Sequence, residues 1–339
     1  MTSTALISVV IPVLNEAQGV QPLLARLVPE LDRLRLDWEI VFVDDGSVDN
    51  TLELIRAARH SEPRIKAVSF SRNFGKEIAI AAGLRYARGD AVVIMDADLQ
   101  HPPEMIDQFV AKWRAGFQVV YGERLDRASE GAVRRLFSEA FYKTFNALSK
   151  CDIPQGAGDF RLLDRRAVDA MNALDEKSRF NKGLFSWIGF RSVGVPYAVA
   201  DRVHGPSRWS FRSLLRFALD GLTSFSTLPL RVWSLLGLAL SLTAFASALV
   251  VLVRTLVYGA DVPGFPSLII SVMIFAGVQL ISLGVLGEYL GRVYEEVKAR
   301  PLFVVAEELG TSRSVEQVQP VRRWKAVVQS HTEGTSAKH

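Results

Sequence analysis

The chain has 339 residues, 49% apolar and 22% charged, which excludes a disordered polymer. A single cysteine, Cys151, excludes an intramolecular disulfide framework. The net charge of +4, with an isoelectric point near 9.2, is too small to point to nucleic acid. The length allows two ordinary domains, or one large domain with an appendage. A mean hydropathy of +0.18 is high for so charged a composition, so the apolar residues must be concentrated somewhere.

The first 200 residues alternate strand and helix patterns. Strands are expected at 6–13 (LISVVIPV), 39–43 (EIVFV), 65–70, 91–95 (AVVIM) and 118–121. Between them, 19–36, 50–60, 76–88 and 103–115 carry apolar residues at helical spacing. This order predicts a mostly parallel sheet covered on both faces. Farther on, 128–150 reads as a helix with a basic start. The stretch 156–163 (GAGDFRLL) reads as a turn into a strand, 182–188 as a short helix and 191–199 as a strand. The start of the chain lacks a basic-then-apolar leader, so residues 1–200 are expected to stay in the cytoplasm.

Residues 207–231 interleave Trp209, Phe211, Leu215 and Phe217 with Arg208, Arg212 and Arg216, an amphipathic segment suited to a membrane surface. Two uncharged runs follow, 232–253 and 265–287, each long enough to cross a bilayer as a helix. The eleven residues between them make a hairpin link. Arg212, Arg216, Arg231, Arg292, Lys298 and Arg300 flank the hairpin, against Arg254 alone in the link, which puts both flanks in the cytoplasm. The GxxxG spacing at 287–291 allows close helix approach. The expected organisation is a cytoplasmic catalytic domain (1–206), an interfacial segment (207–231), a transmembrane hairpin (232–290), a cytoplasmic return segment (291–310) and a polar tail (311–339).

Ligands of parallel sheets bind beyond the carboxyl ends of the strands, where this chain places its polar residues. Asp96 and Asp98 follow AVVIM, with Gln100 beside them and Pro102-Pro103 opening a helix behind. Two carboxylates and a neutral oxygen suit a hard divalent cation carrying a diphosphate. Asp44-Asp45-Gly46-Ser47 follows EIVFV, and a carboxylate there is able to accept from a uracil imide or a ribose hydroxyl. Pro12, Asn15 and Glu16 end the first strand as another wall of a nucleotide cleft. No GxGxxG follows that strand and no P-loop occurs, which argues against a dinucleotide cofactor and against P-loop chemistry.

In order, VVIPVLNE, FVDDGSVDNT, SRNFGKE, VIMDADLQHPPE, GDFRLLDR and LPLR resemble the family 2 glycosyltransferases of GT-A fold, a Rossmann-like α/β domain. The polyprenyl-phosphate branch, with dolichol-phosphate mannose synthase and bacterial undecaprenyl-phosphate glucosyltransferases, is the most similar. The resemblance implies that Asp96, Asp98 and Gln100 hold Mg²⁺ or Mn²⁺ with the diphosphate. It implies that Asp44, Asp45, Ser47, Pro12, Asn15, Glu16 and Asp96 form the nucleotide site and that Lys76 contacts the nucleotide sugar. Arg124, with Arg134, Arg135 and Ser138, resembles a site for the lipid phosphate. Arg208 resembles a basic loop closing over the diphosphate, with His204 nearby, and Asp159 is the family's suggested base.

The implied reaction is inverting transfer of a hexose, glucose from UDP-glucose as the leading donor, to undecaprenyl phosphate at the cytoplasmic face of the inner membrane. GDP-mannose and amino-sugar or uronic-acid nucleotides remain open as donors, as does a homo-oligomer. A processive polysaccharide synthase is disfavoured because no Gln-x-x-Arg-Trp motif occurs. A non-catalytic scaffold or flippase partner is the reading of another class, and the intact Asp96/Asp98 pair argues against it.

Overall fold

The computed structural model describes residues 5–124, 154, 156–177, 179–197, 228–258 and 264–311. They form two units, one built on a sheet and one on two long helices. The sheet unit runs β1 (Leu6–Val13), α1 (Ala17–Arg33), β2 (Asp37–Asp44), α2 (Thr51–Ser61), β3 (Ile65–Phe70), α3 (Lys76–Tyr86), β4 (Ala91–Ile94), α4 (Met105–Arg114) and β5 (Val119–Arg124). It continues with β6 (Ala157–Asp164), α5 (Arg165–Asn172), α6 (Asn181–Trp187), β7 (Ser192–Tyr197) and, after the helical unit, β8 (Val305–Leu309).

The eight strands lie in the order β7-β5-β6-β4-β1-β2-β3-β8. Pairing is parallel across β4-β1-β2-β3 and β5-β7; β6 and β8 run against their neighbours. The expected mostly parallel sheet is therefore present, with β1 and β2 in register from Leu6↔Asp37 to Val13↔Asp44. Every expected strand and helix among the described residues is present within a few residues. The expected helix at 128–150 and residues 207–227 of the interfacial segment lie outside the described residues.

The β-branched runs form strands because branched side chains pack well on a pleated surface. Alternation then divides the core. Ile7, Val9, Ile11 and Val13 join Leu23, Leu27, Leu31, Ile55 and Phe109 beneath α1, α2 and α4. Val10, on the opposite face, meets α3 at Gly83, where an added Cβ would stand 2.1 Å from Val10 Cγ1. That contact brings α3 close to the sheet and fixes where its first residue, Lys76, emerges. Phe42, Phe109 and Phe160 are fully buried, each worth roughly 1.5–3 kcal/mol in transfer free energy.

At the sheet's far edge, β8 pairs antiparallel with β3, from Ala67↔Leu309 to Phe70↔Val305. The Phe303 ring stacks on Phe70 with centroids 5.0 Å apart, and the Ser71 N–H donates to the Val304 carbonyl at 3.0 Å. Arg56 pairs with Glu307 at 2.7 Å, and the Tyr86 hydroxyl donates to Glu308 at 2.6 Å. Residues that follow the helical unit thus cover an edge strand that would otherwise expose unpaired backbone groups.

The helical unit consists of α7 (Leu228–Tyr258, 31 residues) and α8 (Phe265–Val297, 33 residues). Both extend beyond the expected runs. Large apolar side chains stand exposed on both, among them Leu235, Leu242, Phe245, Val272, Phe275 and Leu283. Among the described residues one segment, Ser271–Val297, is long and apolar enough to cross a membrane; α7 contains the shorter apolar stretch Gly237–Ser247.

Candidate active site

The carboxyl ends of β4, β1 and β2 lie side by side, and the loops beyond them are tied together by side-chain hydrogen bonds. Asn15, with a left-handed φ of 53°, donates its N–H to Ser47 Oγ at 2.9 Å, and its side-chain oxygen accepts the Val48 N–H at 2.9 Å. The Glu16 N–H donates to Thr51 Oγ1, whose hydroxyl donates to Asp49. Asp44 is only 1% exposed; its two oxygens accept the Ser47 N–H at 3.0 Å and the Ser69 hydroxyl at 2.7 Å. Asp45 accepts the Phe74 N–H at 2.6 Å and the Gly75 N–H at 2.9 Å. Burial raises the Asp45 carboxyl above its ordinary range, against these two bonds. Gly46 closes the turn at φ +76°, where a Cβ would come within 2.6 Å of the Arg72 backbone. Asp44 and Asp45, expected as nucleotide ligands, therefore also hold the cleft walls in place.

The second cluster gathers around Lys76. Gly75, at φ 100°, precedes α3 and turns the chain so that Lys76 reaches across to β4 and β6. Its Nζ stands 2.6 Å from Asp96 Oδ1, 2.9 Å from Asp96 Oδ2 and 2.8 Å from Asp159 Oδ2. Asp159 arrives because β6 pairs antiparallel with β4, Ile94 opposite Arg161, which sets residue 159 beside the end of β4. Burial opposes ionisation of these groups. The facing charges overcome it, driving Lys76 far above and Asp159 far below their ordinary ranges, with Asp96 also lowered. Asp159 Oδ1 is buried with no hydrogen-bond partner among the described residues.

Glu77, next along α3, accepts the Asn181 N–H at 2.8 Å, and its carbonyl accepts from Asn181 Nδ2 at 2.9 Å. Burial, and then the negative charge of Asp159, push its carboxyl up to about 7. The Asp96 N–H donates to His101 Nδ1 at 3.0 Å, and the His101 ring stacks on Phe160 at 4.8 Å. Between them, Leu99 takes a left-handed φ of 59° and Asp98 Oδ1 accepts the Gln100 N–H at 3.1 Å. This bent turn brings both aspartates of the motif to the end of β4.

Sequence reasoning missed Glu77, Asn181 and His101. Glu77 and His101 belong to quoted motifs (SRNFGKE, VIMDADLQHPPE) and Asn181 adjoins the helix expected at 182–188, and only the tertiary contacts show their roles. Of the expected acceptor residues, Arg124 ends β5; its side chain, together with Arg134, Arg135, Ser138, His204 and Arg208, lies outside the described residues. A cavity of about 80 Å³ is lined by Tyr121, Pro154, Arg161, Lys182, Phe185 and Ser186 among others. Arg161 and Lys182 both act electrostatically on Asp159.

The donor set suits a hard cation. Three carboxylate oxygens already converge on the Lys76 ammonium, and Asp159 Oδ1 adds an unpartnered fourth. Among the described residues no group of three or more His, Cys, Asp or Glu is arranged to hold a metal on its own. Mg²⁺ commonly binds through one or two carboxylates together with phosphate oxygens of a ligand, a pattern that the expected pair Asp96 and Asp98 fits.

The carboxylates gather at the carboxyl edge of the parallel strands, where open α/β sheets bind their ligands. The sequence model of Glycosyl transferase family 2 matches residues 8–171. An uncharacterized glycosyltransferase of Synechocystis sp., sll0501, is 48% identical over 304 residues, covering 90% of this chain and 96% of that protein. The SfII prophage-derived bactoprenol glucosyl transferase of Shigella flexneri is 44% identical over 300 residues, covering 88% and 97%. Among solved structures, the mannosyltransferase PcManGT of Pyrobaculum calidifontis aligns with a TM-score of 0.47 at 20% identity, covering 85% and 88%. The chain belongs to glycosyl transferase family 2 and is a glycosyltransferase.

Proposed function

We propose that the protein transfers a hexose from a sugar nucleotide, UDP-glucose first among candidates, to polyprenyl phosphate, and that it works at the cytoplasmic face of a membrane. The observation that carries the reading is the convergence of Asp96 and Asp159 on one cation at the sheet's carboxyl edge in a family 2 chain. The acceptor is supported by the bactoprenol glucosyl transferase relatives, which match almost end to end.

The chemistry follows from the acceptor. A phosphate monoester has its second pKa near 6, so the nucleophile is largely dianionic at neutral pH and needs little help from a base. One of its oxygens attacks the anomeric carbon while the bond from that carbon to the nucleoside diphosphate breaks, inverting the configuration. Asp159, held ionised by Lys76, is a poor proton acceptor and serves better to orient a sugar hydroxyl through Oδ1. Asp96, Asp98 and Gln100 would hold Mg²⁺ or Mn²⁺, which neutralises the departing diphosphate when bound. Asp44 and Asp45 keep the nucleotide cleft open, with Pro12, Asn15, Glu16 and Ser47 along its wall. Arg124, Arg134, Arg135 and Ser138 are the proposed holders of the acceptor phosphate, and Arg208 of the diphosphate.

Strand pairing supports the proposed topology. β1–β7 precede α7, β8 follows α8, and β8 lies hydrogen-bonded in the same sheet as β3. The chain between them must therefore cross a membrane an even number of times. A hairpin in which α7 and Ser271–Val297 both span meets that condition and keeps the sheet and residues 305–309 on one side. The basic flanks favour the cytoplasm for that side.

A panel assay tests the reading. Purified protein in detergent receives undecaprenyl phosphate, a divalent cation and one sugar nucleotide at a time. Acceptor-dependent release of nucleoside diphosphate with UDP-glucose is expected. Release only with GDP-mannose would change the donor, and acceptor-independent release with every donor would refute the reaction.

A further inference from the structure

We infer that Lys76 is an internal counter-cation that keeps the metal position filled until the donor arrives, so that metal and nucleotide sugar bind together. The inference rests on the proposed metal site and adds how that site is regulated. The Lys76 ammonium lies within 2.9 Å of both oxygens of Asp96 and 2.8 Å from Asp159 Oδ2. A divalent ion at Asp96 must take an oxygen that Lys76 holds and must approach a positive charge at close range. Without a donor, the cation is compensated by the carboxylates of Asp96 and Asp98, and the ammonium offsets part of that charge.

A donor changes the balance. Its diphosphate brings further negative charge and further oxygen ligands. The metal then gains the ligands that Asp96 and Asp98 alone do not provide, and Lys76 gains an anionic partner in exchange for the oxygens it yields. Lys76 is placed for such a move. It is the first residue of α3, its side chain keeps 40% of its surface exposed, and the preceding Gly75 has nothing within 4 Å of its Cβ position. Asp159 stays beside the ammonium while Asp96 is released, so the lysine need not leave the site. The geometry thus couples metal occupancy to donor occupancy through one side chain.

Mn²⁺ binding to the full-length protein in detergent, read by electron paramagnetic resonance, tests this without any turnover. In the absence of nucleotide, Lys76→Met should bind Mn²⁺ at least about tenfold more tightly than wild type, since a fixed positive charge within a few ångströms is gone. With saturating UDP the two should differ by no more than about threefold, because the diphosphate then neutralises the lysine. Lys76→Gln should behave like Lys76→Met. In both variants Mn²⁺ should raise the melting temperature more than in wild type, because it compensates the Asp96 carboxylate that the substitution leaves without Lys76. Equal or weaker Mn²⁺ binding by both variants, with Asp98→Asn abolishing binding in every background, would overturn the inference and leave the metal site standing. Mn²⁺ binding indifferent to Asp98→Asn would remove the metal site, and the inference with it.

Discussion

Replacing Glu77 by Gln isolates the effect of a half-buried carboxyl beside the active site. The carboxyl is raised from 4.5 to about 7 by burial and by Asp159. A raised carboxyl binds its proton more tightly in the folded than in the unfolded chain, so the native state holds the excess proton between these two values. Stability from this group is therefore present at low pH and is lost as pH rises through about 7. Between pH 5 and pH 8 the two values correspond to a loss of about 2.5 kcal/mol in wild type. Partial solvent contact of the side chain brings the expectation to about 1–2.5 kcal/mol. Gln mimics the protonated form, and its carbonyl oxygen is still able to accept the Asn181 N–H. Glu77→Gln should therefore match wild type at pH 5 and melt roughly 3–8 °C higher at pH 8, on the scale of a sheet domain of this size. Thermal scans of the detergent-solubilised protein at both pH values, without nucleotide or metal, supply the measurement. A variant that loses stability equally at pH 5 and pH 8 would refute the reasoning, because Glu77 would then act through hydrogen bonds alone.

Other outcomes follow from separate parts of the molecule. Gly83→Ala should destabilise the sheet unit by about 1–3 kcal/mol, since the new methyl would stand 2.1 Å from Val10 Cγ1; a melting temperature unchanged from wild type would show that α3 is free to shift. A chain ending at Arg300 keeps both long helices but loses β8 and the Phe303–Phe70 stack. It should expose β3, melt lower and aggregate more than the full chain, and monodisperse behaviour with an unchanged melt would show that β8 is dispensable. In a Cys151→Ser background, Asp261→Cys should react with a membrane-impermeant thiol reagent in intact cells, whereas Ser61→Cys should react only after the membrane is opened. Labelling of Ser61→Cys from outside would contradict the cytoplasmic placement of the sheet.

The sheet was legible because its strands are short β-branched runs that stop at acidic residues, as at Asp44 and Asp96, and because the helices between them repeat at 3.6 residues. The edge strand β8 was not. VAEEL is only five residues long with two adjacent glutamates, and its partner β3 lies more than 200 residues earlier, so nothing local announces the pairing. Asp96, Asp98 and Asp159 stood out as carboxylates at strand ends or within motifs. What they do to one another depends on Lys76, whose position is set by the Gly75 turn and the close approach of Gly83 to Val10. Asp44 shows the same limit from the other side. Its place at the end of β2 makes it a candidate ligand by sequence, and only the bonds from Ser47 and Ser69 reveal that it braces the cleft.

The central claim is direct displacement at the anomeric carbon by an oxygen of polyprenyl phosphate. The measurement that tests it most directly is the anomeric configuration of the lipid product formed from UDP-α-glucose and undecaprenyl phosphate, read by NMR after organic extraction. A single β-linked glucosyl phosphodiester is expected, absent when Asp98→Asn replaces the wild type. An α-linked product, or glucose released to water with no lipid product, would contradict it.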